Sequence, residues 1–368
     1  MNSCFFTPTT ICEKLPIRYC TALSLSNLSA TDGNKQMTQT HIQHPSLDPP
    51  AYAANKNWLL TSAGAKVDLT RRMRSALHHH HLKLYTCDIS TDSAAFHFDD
   101  GHFLLPANSA DNYLSTLINA CRQHDIAVIL PTRDDDLLTL TSHRHLLNDV
   151  GIWVLASSAE TIQICIDKVR FHQHCLNHQL PALPRLETPT PSEFPLFVRQ
   201  RRGSGSNNAQ HVNSLTQLQA LFESPPWNDY LIQPVCKLPE YSIDAIFDRY
   251  GHPLQWVSRE RIRVRAGESV VSRTCQIPAL DNLVSSMAQT LHLVGPVTMQ
   301  VFYAPDNGPY LIEVNPRFGG ASALGIEAGL KTPERLVAWA QGDVDSFRQC
   351  GPINYNLKML RYSQDLFC

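Results

Sequence analysis

Short apolar runs alternate with longer amphipathic segments along residues 58–155, and this alternation restricts the fold more than any other feature of the sequence. The apolar runs have the length of β-strands, and they cover residues 58–61, 82–87, 102–105, 126–131 and 152–155. The segments between them carry apolar residues at helical spacing, and they cover residues 67–77, residues 110–124 and the stretch around Leu137, Leu138 and Leu146. Strands that alternate with helices in this way predict a parallel, doubly wound sheet.

Parallel sheets of this type often bind a dinucleotide, so that function is one interpretation of the first half. Asp88 ends the second predicted strand, near the place where an acid that binds ribose would stand. The glycine fingerprint of such proteins needs three glycines, however, and residues 62–67 contain only Gly64. The alternative is a sheet that packs beside a second domain and helps to bind that domain's substrate.

The overall composition narrows the class of protein. Of the 368 residues, 43% are hydrophobic and 17% are charged, which allows a large core and argues against extensive disorder. The formal net charge of -2 argues against a protein that binds nucleic acid with its whole surface. No apolar run reaches the roughly 18 residues of a membrane-spanning helix. We therefore expect neither nucleic acid nor a membrane as a partner.

The 11 cysteines do not follow the spacing of a structural site. Their number is odd and no two of them form a CxxC pair, which argues against a disulfide scaffold and against a zinc ribbon. Cys165 and Cys175 are predicted to be buried helix residues and not nucleophiles, because no paired histidine is evident. These observations favour a reducing, cytoplasmic setting.

Two polar segments of the first half have more than one interpretation. Residues 1–55 are rich in Ser, Thr, Asn, Gln and Pro, and they are predicted to form a flexible tail. A transit peptide and a start codon placed before the true one at Met37 are the alternatives. The four histidines of residues 78–81 are predicted to form the polar end of a helix, with a metal-binding tract as the alternative.

The second half contains four clusters of polar residues, of which the first two are basic. Lys168 heads a helical stretch and can offer a positive charge to phosphate oxygens, although an exposed lysine on a helix is usually only solvated. In the second cluster a strand leads through Arg199 into a basic loop with Gly203 and Gly205. Glycines let backbone N–H groups approach phosphates, and arginines supply countercharge. A flexible hairpin tip is the alternative interpretation of this loop.

The third cluster lies in residues 230–244. An apolar strand that reaches Pro234 can offer backbone groups to the edge of an adenine ring. Glu240, just beyond this strand, can accept hydrogen bonds from ribose hydroxyls. An edge strand followed by a turn is the alternative interpretation.

The fourth cluster carries the strongest chemical signal. Residues 295–315 are predicted to form two antiparallel strands. The period of two residues in a strand places Glu313 and Asn315 on one face, and Gln300 on the partner strand can face them. Carboxylate and amide oxygens are ligands that Mg²⁺ accepts. Arg317 then stands where it can neutralise a phosphoryl group during transfer.

The order and spacing of these clusters resemble the ATP-grasp superfamily, and most closely its carbamoyl-phosphate-synthase-like branch. The resemblance covers roughly residues 57–342 and includes the signature of residues 312–317. It implies an α/β and α+β fold, in which a Rossmann-like domain with a parallel sheet precedes an ATP-grasp fold of two α+β subdomains. The implied boundaries are a tail at 1–55, a pre-ATP-grasp domain at 56–156 and an ATP-grasp domain at 157–368, with a small lid subdomain at 185–232 and a C-terminal subdomain at 233–345.

The resemblance also implies a role for each matching residue. The residues implied to contact ATP phosphates are Lys168, Arg199, Gly203 and Gly205. Those implied to bind the adenosine moiety are Gln233 and Val235, at the adenine, and Glu240, at the ribose. The implied ligands of Mg²⁺, for which Mn²⁺ could substitute, are Gln300, Glu313 and Asn315. The implied catalytic cations are Arg263, Arg265 and Arg317.

Two positions depart from the common pattern of the family. Arg199 stands where many members carry lysine, although the carbamoyl-phosphate-synthase branch also uses arginine there. Gln300 replaces the commoner glutamate, which removes one negative charge from the metal site. The number of metal ions, one or two, therefore stays open.

The function that the resemblance implies is that of an ADP-forming ligase that joins a carboxylate to an amine. The carboxylate would attack the γ-phosphate of ATP, and an amine would then displace phosphate from the acyl phosphate to form an amide or peptide bond. Such chemistry needs positioning and charge neutralisation and no nucleophilic Ser or Cys. The expected partners are small-molecule carboxylates and amines, and a second copy of the chain in a homodimer. The alternative is an ATP-binding sensor or partner subunit without catalysis.

Overall fold

The computed structural model describes residues 47–203, 209–222 and 227–368. The first domain contains the predicted parallel sheet, with the strand order β3-β2-β1-β4-β5. Its strands are β1 (Asn57–Leu60), β2 (Leu84–Asp88), β3 (Gly101–Leu104), β4 (Ile126–Leu130) and β5 (Trp153–Val154). Its helices are α1 (Val67–His78), α2 (Tyr113–Gln123), α3 (Asp134–Ser142) and α4 (Arg144–Asp149). The strand order reverses beside β1, so the loops after β1 and β4 leave the sheet at a topological switch point.

Alternate residues of β1 pack into two different cores on the two faces of the sheet. Trp58 and Leu60 belong to one apolar cluster, and Leu59 belongs to the other. The first cluster also contains Trp339, which lies on a helix near the end of the chain. Burial on both faces explains the continuous apolar character of the strand sequences. The two halves of the chain therefore share one hydrophobic core.

The segment just before β1 packs against this core, which differs from the flexible tail predicted for residues 1–55. The side chain of Leu47 is 5% exposed and that of Ala53 is fully buried in the same cluster. Asp48 forms an ion pair with Arg249. A few apolar residues are enough to anchor a polar segment to the core. The average composition of the segment does not reveal them. The remaining residues of the predicted tail, 1–46, lie outside the described residues.

A small antiparallel sheet follows, with the order β7-β6-β8. Its strands are β6 (Leu196–Gln200), β7 (Gln210–Val212) and β8 (Tyr230–Pro234). The helices that precede or flank it are α5 (Ala159–Ile166), α6 (Lys168–Asn177) and α7 (Leu215–Phe222). Leu196, Val198 and Ile232 form its core together with Trp227. This sheet occupies the region predicted as the lid subdomain.

The largest sheet has six strands in the order β13-β12-β9-β10-β11-β14, all antiparallel. Its strands are β9 (Glu240–Phe247), β10 (Pro253–Arg265), β11 (Glu268–Cys275), β12 (Gly295–Ala304), β13 (Asn307–Asn315) and β14 (Lys358–Leu360). Helix α8 (Pro278–Thr290) packs Leu283 and Met287 against it. Strand β14 pairs with β11, so this sheet extends beyond the boundary at residue 345 that was predicted for the subdomain.

Helices after β13 connect the large sheet back to the first domain. They are α9 (Ala323–Gly325), a π-helical turn (Ile326–Leu330), α10 (Thr332–Ala340) and α11 (Val344–Arg348). Gly329 in this connection has φ 123°, and a Cβ there would lie 2.4 Å from the carbonyl oxygen of Pro352. Only glycine fits such a position. In the part of the chain that the structure describes, no helix has the length and apolarity to cross a bilayer.

Candidate functional site

A cavity of about 580 Å³ is lined by residues of all three sheets. The first domain contributes the loops after β1, β2 and β4, because the carboxyl ends of parallel strands lie along one edge of a sheet. The small sheet contributes the end of β6, and the large sheet contributes β9 to β13. Most of the predicted site residues line this cavity, although they are spread over 150 positions of the sequence.

The start of α6 and the end of β6 form one basic wall. The Lys168 ammonium donates a hydrogen bond to the carbonyl of Gly203 at 2.7 Å, and both residues line the cavity. Burial lowers the pKa of Lys168, and the carboxylate of Glu313 opposes that shift. Gly203 has φ 124°, which glycine adopts readily. Gly205 lies outside the described residues.

Asp167 explains why the neighbouring arginine does not face the cavity. Its carboxylate caps α6 by accepting hydrogen bonds from the amides of Val169 and Arg170 at 3.2 and 3.1 Å. It also accepts from Nε of Arg201 at 2.8 Å. Arg201 therefore connects β6 to the helix start and is not among the cavity residues. Arg202, which is mostly exposed, does line the cavity.

Arg199 is a largely buried cation, with 12% of its side chain exposed, and it has spare hydrogen-bonding capacity. Its Nη2 donates to Oε1 of Gln233 at 3.0 Å, and its Nη1 lies 3.6 Å from Oε2 of Glu313. Its Nε atom is buried and has no hydrogen-bond partner among the described residues. Burial lowers the pKa of Arg199, with Glu313 acting in the opposite direction. A buried N–H donor without a partner is costly, and a phosphate oxygen would satisfy it.

Gln233 and Val235, predicted at the adenine, do not line the cavity. Both ends of the Gln233 side chain are used, because its Nε2 donates to the carbonyl of Leu183 at 3.1 Å while its Oε1 accepts from Arg199. Gln233 lies diagonally opposite Arg199 on the neighbouring strand, which brings the two side chains together. Its contacts therefore position Arg199.

The predicted metal ligands are adjacent on the β12–β13 hairpin. Gln300 lies directly opposite Glu313 in the strand register, and the Asn315 side-chain amide donates to Oε1 of Glu313 at 3.1 Å. All three residues line the cavity, as the period of two residues predicts for Glu313 and Asn315. This hairpin therefore presents one carboxylate and two amide oxygens to the same space.

Glu313, Asn315 and Gln300 fit Mg²⁺ only if a bound ligand supplies further oxygen atoms to the ion. Among the described residues no group of three or more His, Cys, Asp or Glu side chains is arranged to hold a metal. Mg²⁺ prefers oxygen ligands and is commonly held by one or two carboxylates together with substrate phosphates. Glu313, Asn315 and Gln300 match that arrangement, and the Nη1 of Arg199 lies 3.6 Å from Glu313. The residues therefore fit a complex of Mg²⁺ with a nucleotide phosphate.

Arg317 connects the two halves of the site. Its Nε donates to Oδ1 of Asp134 at 2.6 Å, and its Nη2 donates to Oδ1 of Asn315 at 3.1 Å. Asp134 begins α3 in the first domain and was not identified from the sequence. Asp134 follows a strand of a doubly wound sheet, and ligands of such sheets bind at the edge where the strands end. This position is the sequence feature from which Asp134 could have been identified.

Arg261, on β10 of the large sheet, is paired with Glu240. Its Nε lies 2.9 Å from Oε1 of Glu240, and both residues line the cavity. Burial raises the pKa of the Glu240 carboxyl, and Arg261 opposes that shift. Glu240 is thus at the cavity wall, where it was expected.

Arg263 and Arg265, predicted as catalytic cations, are placed differently. Both are exposed, and neither lines the cavity. The register of β10 with β11 shifts between Arg261 and Arg263, and again before Val264. These irregularities turn the outer part of the hairpin, so the face that carries Arg261 does not continue along the strand. The structure therefore does not bring Arg263 and Arg265 to the site.

A buried polar network supports the floor of the cavity. Arg259 is 1% exposed, and its Nε donates to Asp244 at 2.7 Å. The Thr298 hydroxyl donates to the same carboxylate at 2.9 Å and accepts from the amide of Gly319 at 3.1 Å. A Cβ on Gly319 would lie 2.8 Å from the Thr298 oxygen, so the close approach requires glycine. This network holds the loop after Arg317 against the large sheet.

Three charged residues of the first domain also line the cavity, and sequence reasoning assigned none of them to the site. They are Lys66, Asp88 and Arg133, in the loops after β1, β2 and β4. Asp88 accepts hydrogen bonds from the amides of Gly64 and Ile89 at 2.8 and 2.7 Å. It is the residue considered above as a ribose-binding acid, and it instead organises the loop after β1.

The histidine run lies outside the cavity, and of the cysteines Cys165 and Cys175 only Cys165 is among its lining residues. Helix α1 ends at His78, whose Nε2 lies 2.9 Å from Asp100, and the next three histidines are exposed. Burial raises the pKa of Cys175 to about 12 and raises the pKa of Cys165 as well. Neither thiol is therefore activated as a nucleophile.

Two family models match this chain. Residues 58–155 match the model described as the PylC-like N-terminal domain. Residues 227–360 match the model described as ATP-grasp in the biosynthetic pathway with Ter operon. The first half of the chain is thus similar to a PylC-like N-terminal domain, and much of the second half is similar to an ATP-grasp domain. The family resemblance and the fold class predicted from the sequence are thus confirmed.

A curated protein is similar to half of this chain. The carbamoyl phosphate synthase large chain of Sulfurisphaera tokodaii is 26% identical over 212 residues, which are 50% of this chain and 20% of that protein. This ATP-grasp chain therefore matches only about a fifth of the length of that curated relative.

Solved structures share the fold at low sequence identity. The biotin carboxylase domain of Hydrogenobacter thermophilus 2-oxoglutarate carboxylase, described in complex with MgADP, ADP and bicarbonate, has a TM-score of 0.66 and 14% identity. The match covers 82% of this chain and 73% of that one. N5-carboxyaminoimidazole synthetase from Staphylococcus aureus, described in complex with ADP, has a TM-score of 0.63 and 15% identity over 86% of this chain and 82% of that one.

Proposed function

We propose that this protein is an ATP- and Mg²⁺-dependent ligase that joins a small-molecule carboxylate to an amine. The observation that carries the proposal is the pairing of Arg199 with Glu313 at 3.6 Å, with the Asn315 amide bonded to the same carboxylate. A cation that faces phosphate and an oxygen ligand of Mg²⁺ are thereby adjacent. The structural neighbours described with ADP support the choice of nucleotide.

The phosphates of ATP are proposed to lie along the wall formed by α6 and β6. Among the described residues, the Lys168 ammonium donates to the carbonyl of Gly203, and the Nε of Arg199 has no hydrogen-bond partner. Both donors can contact phosphate oxygens without breaking the ion pairs of the site. Glu313, Asn315 and Gln300 would hold Mg²⁺ on the opposite side of the phosphates, and the ion would supply charge neutralisation there. Glu240 is proposed to bind the ribose, and Gln233 to position Arg199.

The first chemical step is proposed to be attack of a carboxylate oxygen of the substrate on the γ-phosphorus of ATP. The bond between that phosphorus and the β–γ bridging oxygen breaks, and ADP leaves. Arg317 is proposed to neutralise the transferring phosphoryl group, while its ion pair with Asp134 holds the guanidinium in place.

The second step is proposed to be attack of the amine nitrogen on the acyl carbon. A carbon–nitrogen bond forms, the carbon–oxygen bond to the phosphate breaks, and inorganic phosphate leaves. The site needs no protein nucleophile for this sequence, which agrees with the raised pKa of the Cys165 thiol at the cavity wall. Positioning the two substrates is the main contribution of the protein to the rate.

Isotope transfer from the carboxylate tests this mechanism. Amino acids and small carboxylates are first screened in pairs with amines for ADP release, and a productive carboxylate is then labelled with ¹⁸O. Inorganic phosphate should acquire one labelled oxygen from the substrate in each turnover. ADP release without label in the phosphate would contradict the acyl phosphate. ATP binding without ADP release for any pair would support a sensor or partner subunit instead.

A homodimer and a cytoplasmic location remain predictions. The Hydrogenobacter domain is described as a dimer, which supports the same arrangement as a proposal for this chain.

A further inference from the structure

Lys66 and Arg133 are the cations that line the end of the cavity formed by the first domain. Elsewhere in the cavity Arg261 is paired with Glu240 and Arg317 with Asp134. Neither the Lys66 ammonium nor the Arg133 guanidinium has a hydrogen-bond or ion-pair partner within the described residues. Two positive charges without a carboxylate partner in a shared cavity favour an anion as the ligand.

The topology of the first domain places these two residues together. Lys66 lies in the loop after β1 and Arg133 in the loop after β4, and these strands are neighbours that pair Leu60 with Leu130. The hydroxyl of Thr132 donates to the carbonyl of Thr61 at 2.7 Å, which ties one loop to the other. The two loops therefore open side by side at the switch point of the sheet, where ligands of such sheets bind.

Each of the two residues also immediately precedes a helix. Helix α1 begins at Val67 and helix α3 begins at Asp134. The first N–H groups of both helices add a positive partial charge to that of the side chains. The first turn of α3 also carries three aspartates, among them Asp134, and these oppose the partial charge of that helix. The positive charge at this edge is therefore that of the Lys66 and Arg133 side chains.

The nearby acids do not neutralise Lys66. Burial and the charge of Arg317 lower the pKa of Lys66, while Glu268 and Asp134 act in the opposite direction. Asp134 already accepts from Arg317 at 2.6 Å, and Glu268 is paired with Arg361. A half-buried lysine whose neighbouring acids are engaged elsewhere gains most from a ligand that brings its own negative charge.

These cations are distinct from those assigned to ATP. The phosphate wall consists of Lys168 and Arg199, on α6 and β6, whereas Lys66 and Arg133 belong to the first domain. Arg317 is the cation that connects the two regions, since it is bonded both to Asp134 and to Asn315. A substrate could therefore place one carboxylate near Arg317 for phosphorylation and a second anionic group at the first domain.

We propose that Lys66 and Arg133 bind a second carboxylate of the acyl substrate, which makes the substrate a dicarboxylic acid or an acidic amino acid. This inference rests on the proposed ligase function, and it names the substrate class of the same cavity. Lys66 and Arg133 are specificity residues in this scheme and do not contact the transferring phosphoryl group.

Matched pairs of probes test the charge requirement by calorimetry on the full chain with MgADP. Succinate is compared with succinamate, and L-glutamate with L-glutamine, because the members of each pair differ in one carboxylate. We expect at least one dianionic probe to bind about tenfold or more tightly than its amide. Equal affinity within every pair, or no binding of either dianion, would overturn the proposal.

Variants then assign the preference to named side chains. Lys66→Met and Arg133→Gln should each weaken binding of the dianion by about tenfold or more, whereas Lys66→Arg should retain most of it. Lys83→Met, at an exposed position outside the cavity, is the matched control. Affinity for MgADP should change by less than about threefold in all of them. Unchanged dianion binding in Lys66→Met and Arg133→Gln would overturn the assignment.

The proposed ligase function and the proposed site for a second carboxylate can be contradicted independently of each other. Tight, Lys66-dependent binding of a dianion without ADP release would leave the subsite standing and contradict the ligase. ADP release that occurs only with monocarboxylates, and is unaffected by Lys66→Met, would support the ligase and overturn the subsite.

Discussion

The Nε atom of Arg317 lies 2.6 Å from Oδ1 of Asp134, and these residues are 183 positions apart in the sequence. Asp134 begins α3 of the PylC-like domain, and Arg317 follows β13 of the ATP-grasp domain. Through Asn315 the same guanidinium is connected to the carboxylate of Glu313. The orientation of the proposed catalytic arginine therefore depends on the packing of one domain against the other.

The Asp134→Asn variant should impair the positioning of Arg317 without weakening the binding of ATP. The amide keeps the shape but removes the charge, so we expect kcat to fall about tenfold while the Kd for ATP stays nearly constant. Asp135→Asn is the matched control, because Asp135 is also in the first turn of α3 but is exposed. Equal kcat values for the two variants would contradict a role for the Asp134–Arg317 pair.

Arg199→Ala should weaken ATP binding more than Arg199→Lys does. Lysine keeps a positive charge near the phosphates but loses the bond to Gln233 and the Nε donor, so its loss should be intermediate. Calorimetry with ADP measures the three affinities. Arg201→Lys, which alters an arginine bonded to Asp167 outside the cavity, should bind as the parent does. Identical affinities for Arg199→Ala and Arg199→Lys would show that this side chain does not face the nucleotide.

Glu313→Gln should affect phosphoryl transfer more than nucleotide recognition. It removes the one carboxylate of the proposed Mg²⁺ set, so we expect ADP release to fall about a hundredfold, equivalent to roughly 3 kcal/mol of transition-state stabilisation. Binding of adenosine without metal should change little, because Glu240, the residue proposed to bind the ribose, lies on β9 and not on the β12–β13 hairpin. Glu334→Gln, at an exposed position of α10, is the control. A rate within a few-fold of the parent would exclude Glu313 as a metal ligand.

Leu47→Ala should lower the free energy of unfolding by about 2 kcal/mol or more, because the side chain is 5% exposed within the shared core. Asp48→Asn, which removes a partly exposed ion pair with Arg249, should cost less than about 1 kcal/mol. Urea denaturation followed by circular dichroism measures both values. A Leu47→Ala variant as stable as the parent would mean that the segment before β1 does not pack as described.

The same reasoning predicts the behaviour of shortened chains. A chain that begins at Leu47 should bind ATP as the full chain does, since the cavity lining found among the described residues begins at Ser62. A chain that begins at Lys56 loses Leu47 and Ala53 and should be less stable. Comparison of the two midpoints of unfolding tests this, and equal midpoints would agree instead with the flexible tail predicted for residues 1–55.

Local features of the candidate site could be predicted from the sequence. Glu313 and Asn315 line the same cavity because side chains two residues apart in a strand share a face, and Gln300 joins them because a short turn sets the register of the hairpin. Lys168 starts a helix because Asp167 caps it. Each of these relations depends on residues close together in the chain.

Relations between distant residues were not predictable in this way. The side chain of Gln233 is directed to Arg199 by the pairing of β6 with β8, and Arg263 leaves the cavity because β10 and β11 change register beside it. Asp134, Lys66 and Arg133 reach the site because one edge of the parallel sheet faces the ATP-grasp domain.

The sequence by itself therefore determined the order of strands and helices, the ATP-grasp resemblance and the hairpin of candidate metal ligands. Periodicity and capping act over a few residues, and a single sequence displays them directly. Only the tertiary structure decided which cations face the cavity, which acids neutralise them and which remain unpaired. Those properties depend on strand register and on the packing of the two domains, where a shift of one residue exchanges the buried and exposed faces of a strand.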